Sequence, residues 1–318
     1  MGAALADLHV DSQLTNVSVR YRNPNFIATQ LFPIVPVTKE SDKFVVYGRG
    51  NFRTPQTLRA NKAEANQAEY EILGRPTFSC NEHALKDFVS DRDRAQADDP
   101  LSPEIDTTLE LTDLLYLAHE VHLATKIGTA ANYDTGHSTT LTGTDQWSDF
   151  ANSDPIGDIR TAITQVLSVT GYLPNVFWMG WQVWDKLQDH PDILARTKSV
   201  GKDPTLERIA AIFQVEKVLV GAAIKNTAKV GVSDALGFVW GKDCGVAYVP
   251  SRPGIRVPGF GYTFQSRPFQ VSKYAVPSRG KGTVAIEVSW IWDDQWVSID
   301  NMTDADSIAG YVIKAAVA

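Results

Sequence analysis

Residues 41–79 constrain this chain more than any other stretch. Lys43-Phe44-Val45-Val46-Tyr47 is rich in β-branched and aromatic side chains and reads as a strand, with Glu69-Tyr70-Glu71-Ile72-Leu73 as its return. Between them Gly48-Arg49-Gly50 leads into a mostly polar run, and residues 60–68 contain no large apolar side chain that could anchor in a core. Folded as two arms, these 39 residues reach on the order of 50–60 Å when extended. A compact body of ~280 residues has a radius of gyration of only about 19 Å. The hairpin must therefore fold back or protrude. Two strands alone are marginal in water, so a protruding hairpin needs a neighbouring molecule to lie on.

Charge narrows the choice of neighbour. The 318 residues carry 30 basic and 37 acidic side chains, a net charge of −7. A chain that grips nucleic acid through phosphates needs a basic domain or stripe, and this one is acidic overall. Locally the sign reverses: from Phe44 to Lys62 the basic residues are Arg49, Arg53, Arg59 and Lys62, with no acid among them. The acid-rich stretch of residues 91–106 holds Asp91, Asp93, Asp98, Asp99, Glu104 and Asp106, offset by Arg92 and Arg94. Asp98 and Asp99 are the better candidates for an acidic acceptor of the cationic hairpin.

No apolar run approaches the ~18 residues of a membrane span. The N-terminus has Asp7 and Asp11 but no basic region of a secretory signal, and Ala6 stands where a myristoylation motif wants Ser or Thr. A soluble cytosolic product is expected. Cys80 and Cys244 are isolated, without metal spacing, and read as small buried hydrophobes.

Along the chain, residues 1–40 are irregular and proline-punctuated, as an extended arm would be. Ser102-Pro103-Glu104 opens a helix over 103–128, with an N-cap, proline in the first turn and an acid beside it. Ile105, Leu109, Tyr116, Leu123 and Ile127 form its expected buried stripe, with Thr112 as a polar gap. Leu111, Leu114, Leu115, Ala118 and Val121 widen the apolar surface, so cover on more than one side is expected. Asp154-Pro155 opens a second helix that buries Ile156, Ile159, Ile163 and Val166 and stops at Gly171. Short strands near residues 175–178, 218–220 and 246–249 alternate with helices at 181–187 and 206–213. Trp184 is expected in the core against Leu187 and Phe177. Strands are expected at 260–264, 269–274, 284–292 and 309–315, with Asp293-Asp294-Gln295 as a turn and residues 296–299 returning from it.

Catalytic signals are weak. His119-Glu120-Val121-His122 has i, i+3 spacing, not that of a zinc helix, and no third ligand or base stands nearby. His119 sits on the apolar stripe and reads as a packed core histidine. Asp293 and Asp294 lie near three tryptophans, but adjacent strand residues point to opposite faces, a poor arrangement for joint acid and base work. Neither Gly48-Arg49-Gly50 nor Gly259-Phe260-Gly261 completes a phosphate loop, and no serine-hydrolase signature is present.

From about residue 147 an ordered series of segments becomes recognisable. It runs through Trp147-Ser148-Asp149, Ser153-Asp154-Pro155-Ile156, Thr170-Gly171-Tyr172-Leu173-Pro174-Asn175, Trp184, Leu187 and His190-Pro191. Residues 206–213 and 218–221, Val239-Trp240-Gly241, Ala247-Tyr248-Val249-Pro250 and Gly259-Phe260-Gly261-Tyr262-Thr263-Phe264 complete it. In order and spacing the series resembles the tailed-phage major capsid protein family, whose Hong Kong 97-type shell fold is shared with encapsulins and herpesvirus capsid floors. The resemblance implies an α+β fold and a structural, non-enzymatic role without cofactor, in the virion after assembly in the host cytoplasm. It implies an N-terminal arm at 1–40, an extended loop at 41–79 that overlies the adjacent subunit, and a peripheral domain at 80–150 and 257–302 with a spine helix at 103–128. An axial domain would comprise 151–256 and 303–318. Hexamers and pentamers, a portal, a decoration protein and weak non-specific contact with packaged DNA follow from the same resemblance. Many relatives carry an N-terminal scaffolding segment that this chain is too short to hold before its arm, so a separate scaffolding protein, or none, is expected. Some relatives join subunits by lysine–asparagine bonds; Lys43, Lys62 and Asn301 lie in the corresponding regions, although crosslinking is not expected. Arg49, Arg53, Arg59, Lys62, Asp98 and Asp99 are the expected subunit interface. An encapsulin-type compartment is the alternative within the fold. A metal-dependent hydrolase using His119, Glu120 and His122 is the alternative outside it.

Overall fold

The computed structural model describes residues 9–11, 14, 15, 18, 25–97, 102–198, 204–229, 231–280, 282–300 and 307–318. Most of residues 1–24, together with Asp98, Asp99 and Asn301, lie outside the described residues. In chain order come β1 (His9–Val10), α1 (Ala28–Leu31) and β2 (Ile34–Pro36), then the hairpin strands β3 (Ser41–Lys43), β4 (Val46–Tyr47), β5 (Ile72–Gly74) and β6 (Thr77–Ser79). Strand β7 (Asn81–Val89), the short α2 (Asp91–Gln96), the long α3 (Pro103–Gly128) and β8 (Ser138–Thr140) follow. An alternating segment contributes α4 (Pro155–Thr170), β9 (Val176–Gly180), α5 (Trp181–Leu187), α6 (Pro191–Lys198), α7 (Leu206–Phe213) and β10 (Lys217–Gly221). The remaining strands are β11 (Ile224–Asn226), β12 (Leu236–Phe238), β13 (Cys244–Ala247), β14 (Tyr262–Ala275), β15 (Val284–Gln295) and β16 (Gly310–Lys314).

Two five-stranded sheets organise the molecule. One has the order β1-β14-β15-β7, with β2 added parallel to β14. The other has the order β10-β9-β13-β16-β8. Helix α3 joins them. Its 26 residues span about 39 Å at 1.5 Å per residue. Leu111, Leu115 and Tyr116 in its first half pack with Val288 and Trp290 of the first sheet. Leu123, Ala124 and Ile127 in its second half pack with Trp178 and Val312 of the other. The helix is thus a strut between two cores, and no helix of the described residues is long and apolar enough to cross a membrane.

The bounds of α3 match the expectation, and its buried stripe matches in part: Tyr116, Leu123 and Ile127 are buried. Ile105 is exposed and Leu109 only half-buried, whereas Thr108 and Thr112 are fully covered. Thr108 Oγ1 donates to Glu104 O at 2.8 Å and Thr112 Oγ1 to Thr108 O at 2.7 Å. With each hydroxyl satisfied on its own helix, burial of threonine carries no orphaned donor. Leu114 and Ala118 are exposed, so the added apolar residues are covered only in part. Helix α4 follows its sequence closely: Asp154 caps Gly157 N at 2.8 Å, and Gly171 adopts φ 72°, a left-handed stop that favours glycine.

Three further expectations are corrected. The strands at 260–264 and 269–274 are one strand, β14, with register shifts around Arg267 and Pro268, where proline cannot donate to the ladder. Asp293-Asp294-Gln295 is not a turn. These residues continue β15 opposite Phe264, Thr263 and Tyr262, because the buried Asp294 side chain finds partners there; residues 296–299 are buried but form no strand. Finally, Trp184 is only half-buried, while Val183 and Leu187 fill the core below it and Trp147 is fully enclosed. Trp147 also donates its indole N–H to Asp158 Oδ2 at 2.8 Å. Denaturant unfolding should therefore rank the two: Trp147→Ala costs about 3–5 kcal/mol and Trp184→Ala about 1–2 kcal/mol. Equal costs would place Trp184 in the core after all.

Candidate functional site: an exposed cationic hairpin

The hairpin is rooted in a core and bare beyond it. Phe44, Val46 and Phe78 are buried among Val35, Val37, Tyr262, Phe264 and Ile291, and the Phe78 and Phe264 rings stack at 4.5 Å. Beyond that root every residue from 51 to 73 is exposed, Leu58 at 82% and Tyr70 at 79%. The ladder is shorter than expected. Ser41 to Lys43 pair with Ser79 to Thr77, and Val46 and Tyr47 with Gly74 and Ile72 across a bulge; Glu69, Tyr70 and Glu71 belong to no strand. Asparagine side chains do part of the pairing instead. Asn51 donates to Glu71 O and accepts from Glu71 N, both at 2.9 Å, and Asn66 donates to Gln56 O at 2.7 Å. Lys62, at φ 64°, takes the left-handed position of the terminal turn.

The four cations divide into two groups. Arg49, at the root, pairs with Asp300 at 3.1 Å and with Asp134 at 3.9 Å within the same subunit. It anchors the hairpin, and this charge is already engaged. Arg53, Arg59 and Lys62 are exposed, and no carboxylate of the described residues lies within ion-pair distance of them. In the acid-rich stretch, Asp91 pairs with Arg94 at 3.2 Å, and Glu104 pairs with Lys273 at 2.6 Å. Asp93 and Ser90 form a reciprocal capping box. The expected acceptors Asp98 and Asp99 lie outside the described residues.

The histidine segment of α3 is structural. His119, buried as expected, meets Asp294 Oδ1 at 3.1 Å, and His122 meets Oδ2 at 3.1 Å. Thr263 donates its hydroxyl to Asp294 Oδ1 at 2.6 Å. Burial alone would push this carboxyl up, but the His119 charge and the hydrogen bonds from His119, His122 and Thr263 hold it well below the usual range. Burial, then repulsion from His122 and His119, pushes His83 down. Glu120 faces elsewhere. Its carboxylate accepts from Ile27 N at 2.8 Å, Ala28 N at 2.9 Å and the Trp240 indole N–H at 2.6 Å. Burial raises its pKa, and those three donors only partly oppose the rise. His119, Glu120 and His122 therefore converge on no common centre. They bind α3 to β15, to α1 and to the loop before β13. Both cysteines are free and buried, and burial pushes the Cys80 thiol up to about 11.

Asp294 and Glu120 are each buried carboxylates that accept three hydrogen bonds, a role the sequence reading assigned to neither. The usable signal was a carboxylate amid apolar strand residues, Trp290, Ile291 and Trp292.

Among curated proteins, the major capsid protein of Burkholderia phage BcepMu is 30% identical over 264 residues, covering 81% of this chain and 84% of that protein. The chain belongs to the phage major capsid proteins. No family model matches it. A phage-related protein from Bordetella bronchiseptica superposes with TM-score 0.76 at 27% identity, covering 97% of this chain and 98% of that one. The capsid of cyanophage P-SCSP1u gives 0.58 at 9% identity, covering 92% of this chain and 89% of its own. The SrpI encapsulin of Synechococcus elongatus gives 0.51 at 12%, covering 93% and 89%. At such identities the last two show the fold alone, the Hong Kong 97-type α+β capsid fold. The sequence relative favours the phage capsid over the encapsulin alternative. As a capsid protein of a tailed phage, the chain is a structural subunit of oligomeric virion shells.

Proposed function

We propose that the subunit builds the hexamers and pentamers of an icosahedral shell around a DNA genome, with residues 41–79 lying over the adjacent subunit. The observation that carries this reading is the continuous exposure of residues 51–73 above a buried root. Residues 1–40 act as an arm along neighbouring subunits. Residues 80–150 and 257–302 form a peripheral domain whose spine is α3, and residues 151–256 and 303–318 an axial domain at the symmetry axes. The two-sheet architecture, with α3 packed into both cores, supports that division. A net charge of −7 suits a wall that touches packaged DNA weakly. Assembly in the host cytoplasm with a separate scaffolding protein, a portal and a decoration protein completes the reading, which needs neither cofactor nor catalysis. Electron microscopy of the purified protein tests it: closed shells are expected, and a persistently monomeric protein would sink it.

Charge reversal tests the docking. Arg53, Arg59 and Lys62 seek carboxylates on the next subunit, and Asp98 and Asp99 are the acceptors. Exposed ion pairs contribute only ~0.2–1 kcal/mol each, but a shell repeats them in every subunit. Arg53→Glu with Arg59→Glu should impair assembly, Asp98→Lys with Asp99→Lys in the same chain should partly restore it, and added salt should weaken wild-type assembly by screening. Normal empty shells that package DNA poorly would instead point the loop at nucleic acid.

A further inference from the structure

Strand β7 leaves an open sheet edge beside the acid-rich stretch. It is nine residues long, ends its sheet, and pairs only with β15, in unbroken register from Val284–Val89 to Trp292–Asn81. Six of its nine residues are exposed, and no other strand of the described residues lies along its outer side. The Phe88 N–H is given to Asp87 Oδ1 at 2.8 Å rather than to the ladder. Antiparallel alternation then turns the backbone groups of Glu82, Ala84 and Lys86 outward with it. An edge of this length is a template for another strand, and Lys86 and Asp87 are the charges that keep such an edge from pairing indiscriminately.

The hairpin has the complementary deficit. From residue 53 to 71 its arms form no ladder with each other. The outgoing run, residues 54–60, carries β-branched Thr54 and Thr57 and is flanked by Arg53 and ended by Arg59-Ala60. The returning run carries Glu64, Glu69 and Glu71. Glu82 and Asp87 on β7, and the acidic stretch that begins where β7 ends, are opposite in sign to the outgoing run and repel the returning one. Apolar surface matches as well. Leu85 on β7 and Leu114 on α3 are exposed at 39% and 43%, and Leu58 projects from the hairpin at 82%.

We propose that residues 54–60 of one subunit add as a strand to the outer edge of β7 in a second copy of this chain. Main-chain hydrogen bonds hold the two together, while Glu82 and Asp87 set the register by adding to the attraction that Asp98 and Asp99 supply to Arg53 and Arg59. This rests on the shell reading and specifies which surface receives the hairpin.

Disulfide trapping in assembled particles tests it, since Cys80 and Cys244 are buried and give little background. Ala84→Cys would be combined in turn with Gln56→Cys, Thr57→Cys and Arg59→Cys, and, as controls, with Asn66→Cys and Gln67→Cys on the returning run. Mild oxidation of shells is expected to give a ladder of covalent multimers on a non-reducing gel for at least one outgoing-run pair, lost on reduction. Shells that form from all these variants without any ladder overturn the edge pairing and leave the shell reading standing. A ladder from the returning run alone also overturns it. If the unsubstituted chain yields no particles, the shell reading falls, and this pairing with it.

Discussion

Deleting residues 54–67 is expected to leave a folded subunit that no longer builds shells. Every residue removed is exposed, and Leu58 is the only large apolar side chain among them. The buried root, from Phe44 and Val46 to Phe78, is untouched, as are the Asn51 bonds to Glu71. The deletion removes the Asn66 bond to Gln56, the Lys62 turn, and two of the three hairpin cations that have no ion-pair partner among the described residues, Arg59 and Lys62. Stability should change by less than about 1 kcal/mol, as for surface changes away from caps and cores. The far-UV spectrum and melting point of the subunit should match those of the full chain, while particles disappear from electron micrographs and sedimentation profiles. Normal shells from this variant would mean that the contacts between copies lie elsewhere.

The elements read correctly from sequence are those whose determinants are local. Asp154, Pro155 and Gly171 mark both ends of α4 within 18 residues of chain, and the structure places each in the role its chemistry favours. The start of α3 was legible from Pro103 and the acids of its first turn, although Ser102 makes no side-chain cap bond. The buried face of its first turns was not, because hydroxyls that bond their own helix make Thr108 and Thr112 burial-competent in a way that a hydrophobicity pattern does not register. The hairpin was legible as a shortage of core-forming residues. Its pairing was not, since asparagine side chains replace the ladder that strand propensity anticipates. Arg49 was grouped with the cations at the tip by proximity in sequence, yet Asp134 and Asp300 reach it only through the fold. Asp294 was misread for the opposite reason. Two aspartates in a row are a strong local turn signal, and the residues that hold Asp294 in a strand, His119 and His122, lie 175 and 172 positions away.

That carboxylate gives one of the largest expected effects on the subunit itself. Asp294 is fully buried between α3 and the first sheet, and it is the shared acceptor for His119, His122 and Thr263. Removing one member of a buried charged network leaves the others desolvated without compensation, which costs about 3–5 kcal/mol. Asp294→Ala should lose that much in denaturant unfolding of dissociated subunits, where assembly cannot mask it. Asp294→Asn keeps the shape and one acceptor oxygen, and should lose less. The pH dependence has a definite sign. The folded-state pKa lies below the 3.8 of an unconstrained aspartate, so the carboxyl binds protons less readily folded than unfolded. Its stabilisation is complete above that value and is lost as pH falls through the folded one. The stability gap between the wild type and Asp294→Asn should therefore close in strong acid. A gap that widens there would mean that the carboxyl is protonated in the folded subunit and that His119 is held by packing against Trp290 and Trp292 alone, at 4.9 and 4.5 Å.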